Sequence, residues 1–255
     1  MRPSARVAAA LLALAASAAG AQEAPVERDG RRLLDAGEAA AFGGIGRLNV
    51  AGTRFCTAAM VSDREILTAA HCLFHPRTLA RVPLSEFRFV PGQRMERNLG
   101  VRRVVRAAFP PEFVAQATPR ARDLEADMAL IELDAPVPEA ATPFAVGTLA
   151  ARDELLTIVS YARDRAQAPS ISENCPPMGA IDGLLVIDCA VERGVSGAPV
   201  LAGEGAAVRI VAVVAGMGAL PDGSEITLTA LVGPRIDALR ADLAAQAEAE
   251  GDAAR

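Results

Sequence analysis

Lysine is missing from this 255-residue chain: all 26 of its basic residues are Arg. That bias reflects lineage as much as function. Histidine is scarce, with only His71 and His75, and cysteine is limited to Cys56, Cys72, Cys175 and Cys189. No two cysteines stand in C-x-x-C spacing and the histidines form no ligand cluster, so no zinc, other metal or cofactor is expected. A surplus of positive charge is also lacking. The net charge is −5, and loss of residues 1–21, with two Arg and no acid, would make it more negative by two. An acidic chain carries no electrostatic footprint for nucleic acid. No apolar run comfortably reaches the roughly 20 residues that cross a bilayer, and no strong internal repeat is present.

What is there begins with a leader. Arg2 and Arg6 precede an uncharged Ala/Leu-rich run over 7–20, and Ala19-Gly20-Ala21 offers the small-x-small pattern of signal cleavage. Residues 1–21 therefore read as a signal peptide, with an exported chain starting near Gln22 in the periplasm or outside the cell. No membrane association is expected after its removal. Residues 22–41 read as a linker or prosegment; Arg31-Arg32 is a candidate processing site, or simply part of an exposed tail. Export makes the four cysteines read as two disulfides with three possible connectivities. The local pairs Cys56–Cys72 and Cys175–Cys189 are preferred.

From Gly43 onward the pattern is of short β-type runs separated by Pro, Gly and polar turns, at 45–50, 53–61, 65–69, 87–90, 101–107 and 127–133. A connector over 142–149 separates these from runs at 155–161, 183–190, 198–201, 208–216 and 226–232. Many short strands at such spacing indicate an all-β barrel or sandwich. The end of the chain changes period. After Gly233-Pro234, Ile236, Leu239 and Leu243 fall on one helical stripe, predicting a helix over about 234–248.

Three stretches carry chemistry. Thr68-Ala69-Ala70-His71-Cys72 places an imidazole, which can take and return a proton near neutral pH, beside a cysteine. Arg193-Gly194-Val195-Ser196-Gly197 puts a hydroxyl between glycines, in a turn tight enough for the N–H groups of Gly194 and Ser196 to converge on an oxyanion. Asp127 opens the apolar run Asp127-Met128-Ala129-Leu130-Ile131-Glu132-Leu133, where a carboxylate would be buried and able to orient an imidazole. Asp123 is the rival, but it lies in a polar loop. His75, before Pro76, reads as structural or exposed.

The T-A-A-H-C and G-V-S-G stretches, the Asp-led strand, and the order His, Asp, Ser resemble the chymotrypsin-like serine proteases over roughly 43–240, in particular the secreted bacterial branch that includes the glutamyl endopeptidases. The resemblance implies two antiparallel six-stranded β-barrels with a C-terminal helix: a protease domain at 42–255, an N-terminal barrel at about 42–142 and a C-terminal barrel at about 150–232. It implies an endopeptidase with Ser196 as nucleophile, His71 as general base and acid, and Asp127 as orienter, acting as a monomer on protein or peptide substrates. By counting from Ser196, Ala190 and Val191 fall near the primary pocket, and Val214, Ala215 and Gly216 on the strand that pairs with substrate. Departures matter too. Val195 stands where animal digestive proteases have Asp, and no Arg-Ile-Val-Gly-Gly sequence precedes Ile45, so no activation switch of that type is expected. With no acid at the pocket base and no histidine after 75, a small or medium apolar residue is expected before the cut. A silent protease-like binding protein and an esterase on the same scaffold are the competing readings.

Overall fold

A computed structural model of the chain describes residues 30–150, 154–181 and 184–253. The leader, the expected new N-terminus and Gly183 lie outside them. The chain enters with strand β1 (Arg32–Leu33) and helix α1 (Ala36–Ala41). Asp35 caps α1: its carboxylate accepts the Glu38 N–H at 2.9 Å, while Glu38 Oε2 accepts the Asp35 N–H at 2.8 Å, a reciprocal capping box. Leu34, 1% exposed, anchors the segment. Residues 32–41, read from sequence as linker or prosegment, thus form part of the folded body.

Six strands follow: β2 (Ile45–Val50), β3 (Arg54–Met60), β4 (Glu65–Thr68), β5 (Phe87–Pro91), β6 (Arg102–Ala108) and β7 (Ala129–Leu133). They close into an antiparallel barrel in the order β2-β3-β4-β7-β6-β5. Its interior is filled by Leu48, Ala58, Ile66, Phe87, Phe89 and Ile131 among others. At Gly46 the walls come so close that a Cβ would sit 2.4 Å from the Val90 carbonyl oxygen, which only glycine tolerates.

The second half contains β8 (Ala145–Val146), β9 (Leu156–Ser160), β10 (Ser170–Cys175), β11 (Pro177–Ile181), β12 (Leu184–Ile187), β13 (Pro199–Ala202), β14 (Arg209–Ala219) and β15 (Glu225–Leu231). With β1 they form a nine-stranded sheet in the order β1-β10-β9-β13-β14-β15-β12-β11, and β8 lies parallel to β14. The expected two-part β architecture is present, but the second part differs from a six-stranded unit confined to about 150–232: β1 and β8 join it from outside that range. Helix α2 (Ile236–Ala253) closes the chain. It runs past the expected end at 248 because the Ala- and Glu-rich tail has strong helix propensity. Its Ile236, Leu239 and Leu243 are buried, and it packs on β6 and β7 of the first barrel. No described helix is long and apolar enough to cross a membrane.

Both expected cysteine pairs are bonded, Cys56–Cys72 and Cys175–Cys189. A separate apolar cluster lies between the two halves, joining Leu67, Met128 and Leu130 of the barrel half to Val159, Tyr161, Leu201 and Val213 of the second half.

Candidate active site

The site forms where loops of the two halves meet. β4 ends at Thr68, and a 3-10 turn over Ala70–Leu73 carries His71 out of the barrel. Cys72 ties this turn to β3 through Cys56. The Arg54 guanidinium, also from β3, donates to the carbonyls of Cys72 at 2.9 Å and Phe74 at 2.7 Å. The residue after the imidazole is therefore held by a covalent bond and a charge-assisted hydrogen bond.

Asp127 is fully buried just before β7, below a 3-10 turn over Ala121–Leu124. One carboxylate oxygen accepts the His71 backbone N–H at 2.8 Å, and the other lies 2.6 Å from His71 Nδ1. Since a carboxylate only accepts, Nδ1 carries the proton and Nε2 of the neutral ring is left as an acceptor. Burial of the ring works against its charged form. The charge and hydrogen bond of Asp127 outweigh that and raise the His71 pKa above its ordinary value, while Arg54 pulls the other way. The ring remains reachable: 36% of the side-chain surface is open. Asp123, the rival carboxylate, instead accepts the Arg120 N–H at 2.8 Å.

Ser196 lies on the loop before β13. Gly194 and Gly197 have φ of +102° and +77°, a region costly for other residues. A Cβ on Gly197 would lie 2.1 Å from Thr68 Oγ1 and 2.8 Å from the Ala69 nitrogen. The Ser196 loop therefore packs directly on the strand end that leads to His71. The Thr57 N–H donates to the Ser196 carbonyl at 2.9 Å, and the Gly197 N–H to Val214 at 2.7 Å. The Val195 N–H is used by Glu192 at 3.2 Å, but the N–H groups of Gly194 and Ser196 on either side of it have no acceptor among the described residues. Ser196 Oγ and His71 Nε2 make no hydrogen bond among the described residues; such bonds are often long before substrate binds. Two N–H donors thus stand unused on either side of Val195, next to a half-buried hydroxyl, while His71 Nε2 has only the Cys72 sulfur, 3.8 Å away, beside it.

The trypsin-like peptidase domain profile matches residues 56–210, more than half the chain and all three of these stretches. The chain belongs to the trypsin-like peptidases. As a member it is a serine endopeptidase, a hydrolase. Its fold is similar to that of a Glu endopeptidase solved in complex with MPD, with a TM-score of 0.69 at 15% identity, covering 86% of this chain and 99% of that one. It is also similar to AL20, a thermostable serine protease from an extremophilic microorganism, with a TM-score of 0.59 at 18% identity and coverage of 75% and 92%. No curated protein matched the sequence.

The other counted residues of the peptidase are apolar or small. Val191, Val214 and Ala215 are buried, and Ala190 and Gly216 half-buried. The Val214 backbone is tied to Gly197 and Ala198, and β14 bulges between Val214 and Gly216. A cavity of about 220 Å³ adjoins the imidazole, lined by His71, Phe74, Phe113, Leu124 and Ala215, with Arg54 at its wall. His75 lines it too, while its Nδ1 accepts the N–H groups of Arg77 and Thr78. Cys56, His71 and Cys72 lie close enough together to suggest a metal cluster, but both sulfurs are bonded to each other.

Two contributors escaped sequence reading. Thr57, fully buried, accepts the Tyr161 N–H at 3.0 Å and approaches the Gly194 carbonyl at 3.2 Å, besides holding Ser196. Arg54 supports the histidine turn. Each is an ordinary residue of a strand; the partners of Arg54 lie 18 and 20 positions away, and the Gly194 partner of Thr57 lies 137 away. The only local hint was proximity to Cys56.

Proposed function

We propose that this peptidase is an exported enzyme that cleaves peptide bonds through an acyl-enzyme on Ser196. His71 takes the hydroxyl proton through Nε2 as Ser196 attacks the carbonyl, and returns it to the leaving amine. It then activates water for the second half-reaction. Asp127 holds the tautomer and stabilises the imidazolium, and the N–H groups of Gly194 and Ser196 receive the oxyanion. The observation that carries this reading is the His71–Asp127 pair with its raised pKa, beside a serine loop offering two unused N–H donors.

The protease unit is read as 42–255, and its two disulfides favour an oxidising compartment, periplasmic or extracellular. The residue before the cut is read as small or medium and apolar, because Ala190, Val191, Val214, Ala215 and Gly216 offer neither acid nor base.

A fluorophosphonate probe tests the reading. It is expected to label the wild type at Ser196, with labelling and casein hydrolysis both lost in Ser196→Ala. Labelling without casein hydrolysis would favour an esterase, and no labelling at all a silent binding protein. A peptide-library profile dominated by Glu, Arg or Lys before the cut would remove the apolar assignment.

A further inference from the structure

The segment before the barrel reaches the oxyanion loop. β1 pairs antiparallel with β10, Arg32 opposite Ile171 and Leu33 opposite Ser170. Immediately before it, the Arg31 side chain is buried at 3% exposure and grips Asp164 with both terminal nitrogens, Nη1 to Oδ1 at 3.2 Å and Nη2 to Oδ2 at 3.0 Å. Arg165 Nε adds a 3.5 Å contact to the same carboxylate, and Arg165 Nη1 donates to the Arg31 carbonyl at 3.5 Å. Asp164 is the centre of a 3-10 turn, Arg163–Arg165. At its first residue, the Arg163 N–H donates to the Arg193 carbonyl at 2.7 Å.

That last bond fixes more than a carbonyl. A trans peptide is planar, so the C=O of Arg193 and the N–H of Gly194 point in opposite directions. Holding the carbonyl toward Arg163 aims the Gly194 N–H away from it, on the side where the oxyanion would form. Rotation of this one peptide would put an oxygen where a donor is needed. Gly194, at φ +102°, has the backbone freedom to permit such a rotation. The chain has Val195 next to Ser196, so no carboxylate beside the nucleophile stabilises the loop.

We propose that Arg31 and Asp164 are positioning residues: their bidentate pair holds the turn at Arg163–Arg165, and that turn holds the 193–194 peptide in its oxyanion-binding orientation. The N-terminal strap is then part of the working enzyme, and cutting between Arg31 and Arg32 inactivates it instead of activating it. The catalytic consequence rests on the function proposed above; the structural one does not.

Two readouts on the full chain separate them. The first is hydrogen exchange over 192–197, which needs no turnover. Arg31→Ala and Asp164→Asn are expected to speed exchange at Val195 and Gly197 at least tenfold, while Arg32→Ala, which breaks only the pairs with Glu38 and Glu173, leaves it within twofold. The second is peptide hydrolysis, where kcat falls tenfold or more with KM within about twofold, Arg31→Lys recovers part of the loss, and the exchanged pair Arg31→Asp with Asp164→Arg recovers more. If Arg31→Ala does not fold, the isosteric Asp164→Asn carries the test. Unchanged exchange in Asp164→Asn, or equal effects from Arg32→Ala, overturns the proposal. Faster exchange in these variants of a wild type that itself proves unlabelled and inactive would instead overturn the function and leave the clamp standing.

Discussion

Asp127 concentrates the chemistry of the site in one carboxylate that spends both oxygens on His71. Its removal should therefore be felt twice. In Asp127→Asn the geometry can survive, but the ring loses both the charge that raises its pKa and the acceptor that fixes its tautomer. A loss of about 10⁴ in kcat is expected. The pH dependence gives the sign. In the proposed mechanism only neutral His71 accepts the serine proton, so activity should rise as the ring deprotonates. Because the folded pKa is raised, the acid limb of kcat/KM should have its midpoint above the ordinary histidine value of about 6.5, and in Asp127→Asn it should move downward. The same shift means the pair stabilises the fold at pH below the unfolded histidine pKa, with the gain fading as pH rises through the folded value. A wild-type limb at or below 6.5 would contradict this account of the pair. The pairing of His71 with Asp127 and the glycine-flanked turn at Ser196 were legible because each residue sits in a stretch with a local signature. Thr57 and Arg54 were not, since what they do depends entirely on residues brought to them by pairing.

At the scale of elements, legibility followed hydrophobic period. β2 was readable from its buried Ile45, Leu48 and Val50, and β7 from an apolar run broken only by Glu132. β10 was not: its sequence, Ser170-Ile171-Ser172-Glu173-Asn174-Cys175, is mostly polar, and the strand exists because β9 on one side and β1 on the other supply its hydrogen bonds. β1 and β8, two residues each, are shorter than any periodic signal. Helix α2 shows the opposite case, with a stripe that was legible and a docking surface that was not. It crosses back to the first barrel, where Arg240 pairs with Glu65 on β4 at 3.2 Å and Glu250 with Arg106 on β6 at 2.6 Å. The burial of Leu239 at 2% exposure matters more than these surface pairs, which typically contribute at most about 1 kcal/mol. Leu239→Ala should lower unfolding stability by about 2–4 kcal/mol in urea titration, whereas Arg240→Ala should change it by no more than about 1 kcal/mol. Comparable losses would mean that α2 is held by charge and not by packing.

Across the whole molecule, the residues proposed to act together come from both halves: His71 and Asp127 from the barrel half, Ser196 from the loop before β13 in the second half. What keeps them together is the apolar cluster between the halves, which also takes in Leu34 from the strap and Ile236, Leu239 and Leu243 from α2. A barrel and a sheet joined by a small wet contact would be free to separate; with a shared dry cluster, neither has an apolar surface satisfied without the other. Unfolding should therefore be a single transition. The sequence provides its own reporter, because the chain has no Trp and only one Tyr. Tyr161 sits inside this cluster, fully buried, with its hydroxyl donating to the Gln93 carbonyl of the barrel side at 2.8 Å. Burial pushes its ionisation above the ordinary tyrosine range. In a urea titration, tyrosine fluorescence, far-UV circular dichroism and peptide hydrolysis should share one midpoint, the signature of two-state behaviour. A tyrosine change that comes at lower urea than the loss of strand signal would mean the halves part while still folded. The proposed triad would then be held together by something other than the cluster at Tyr161.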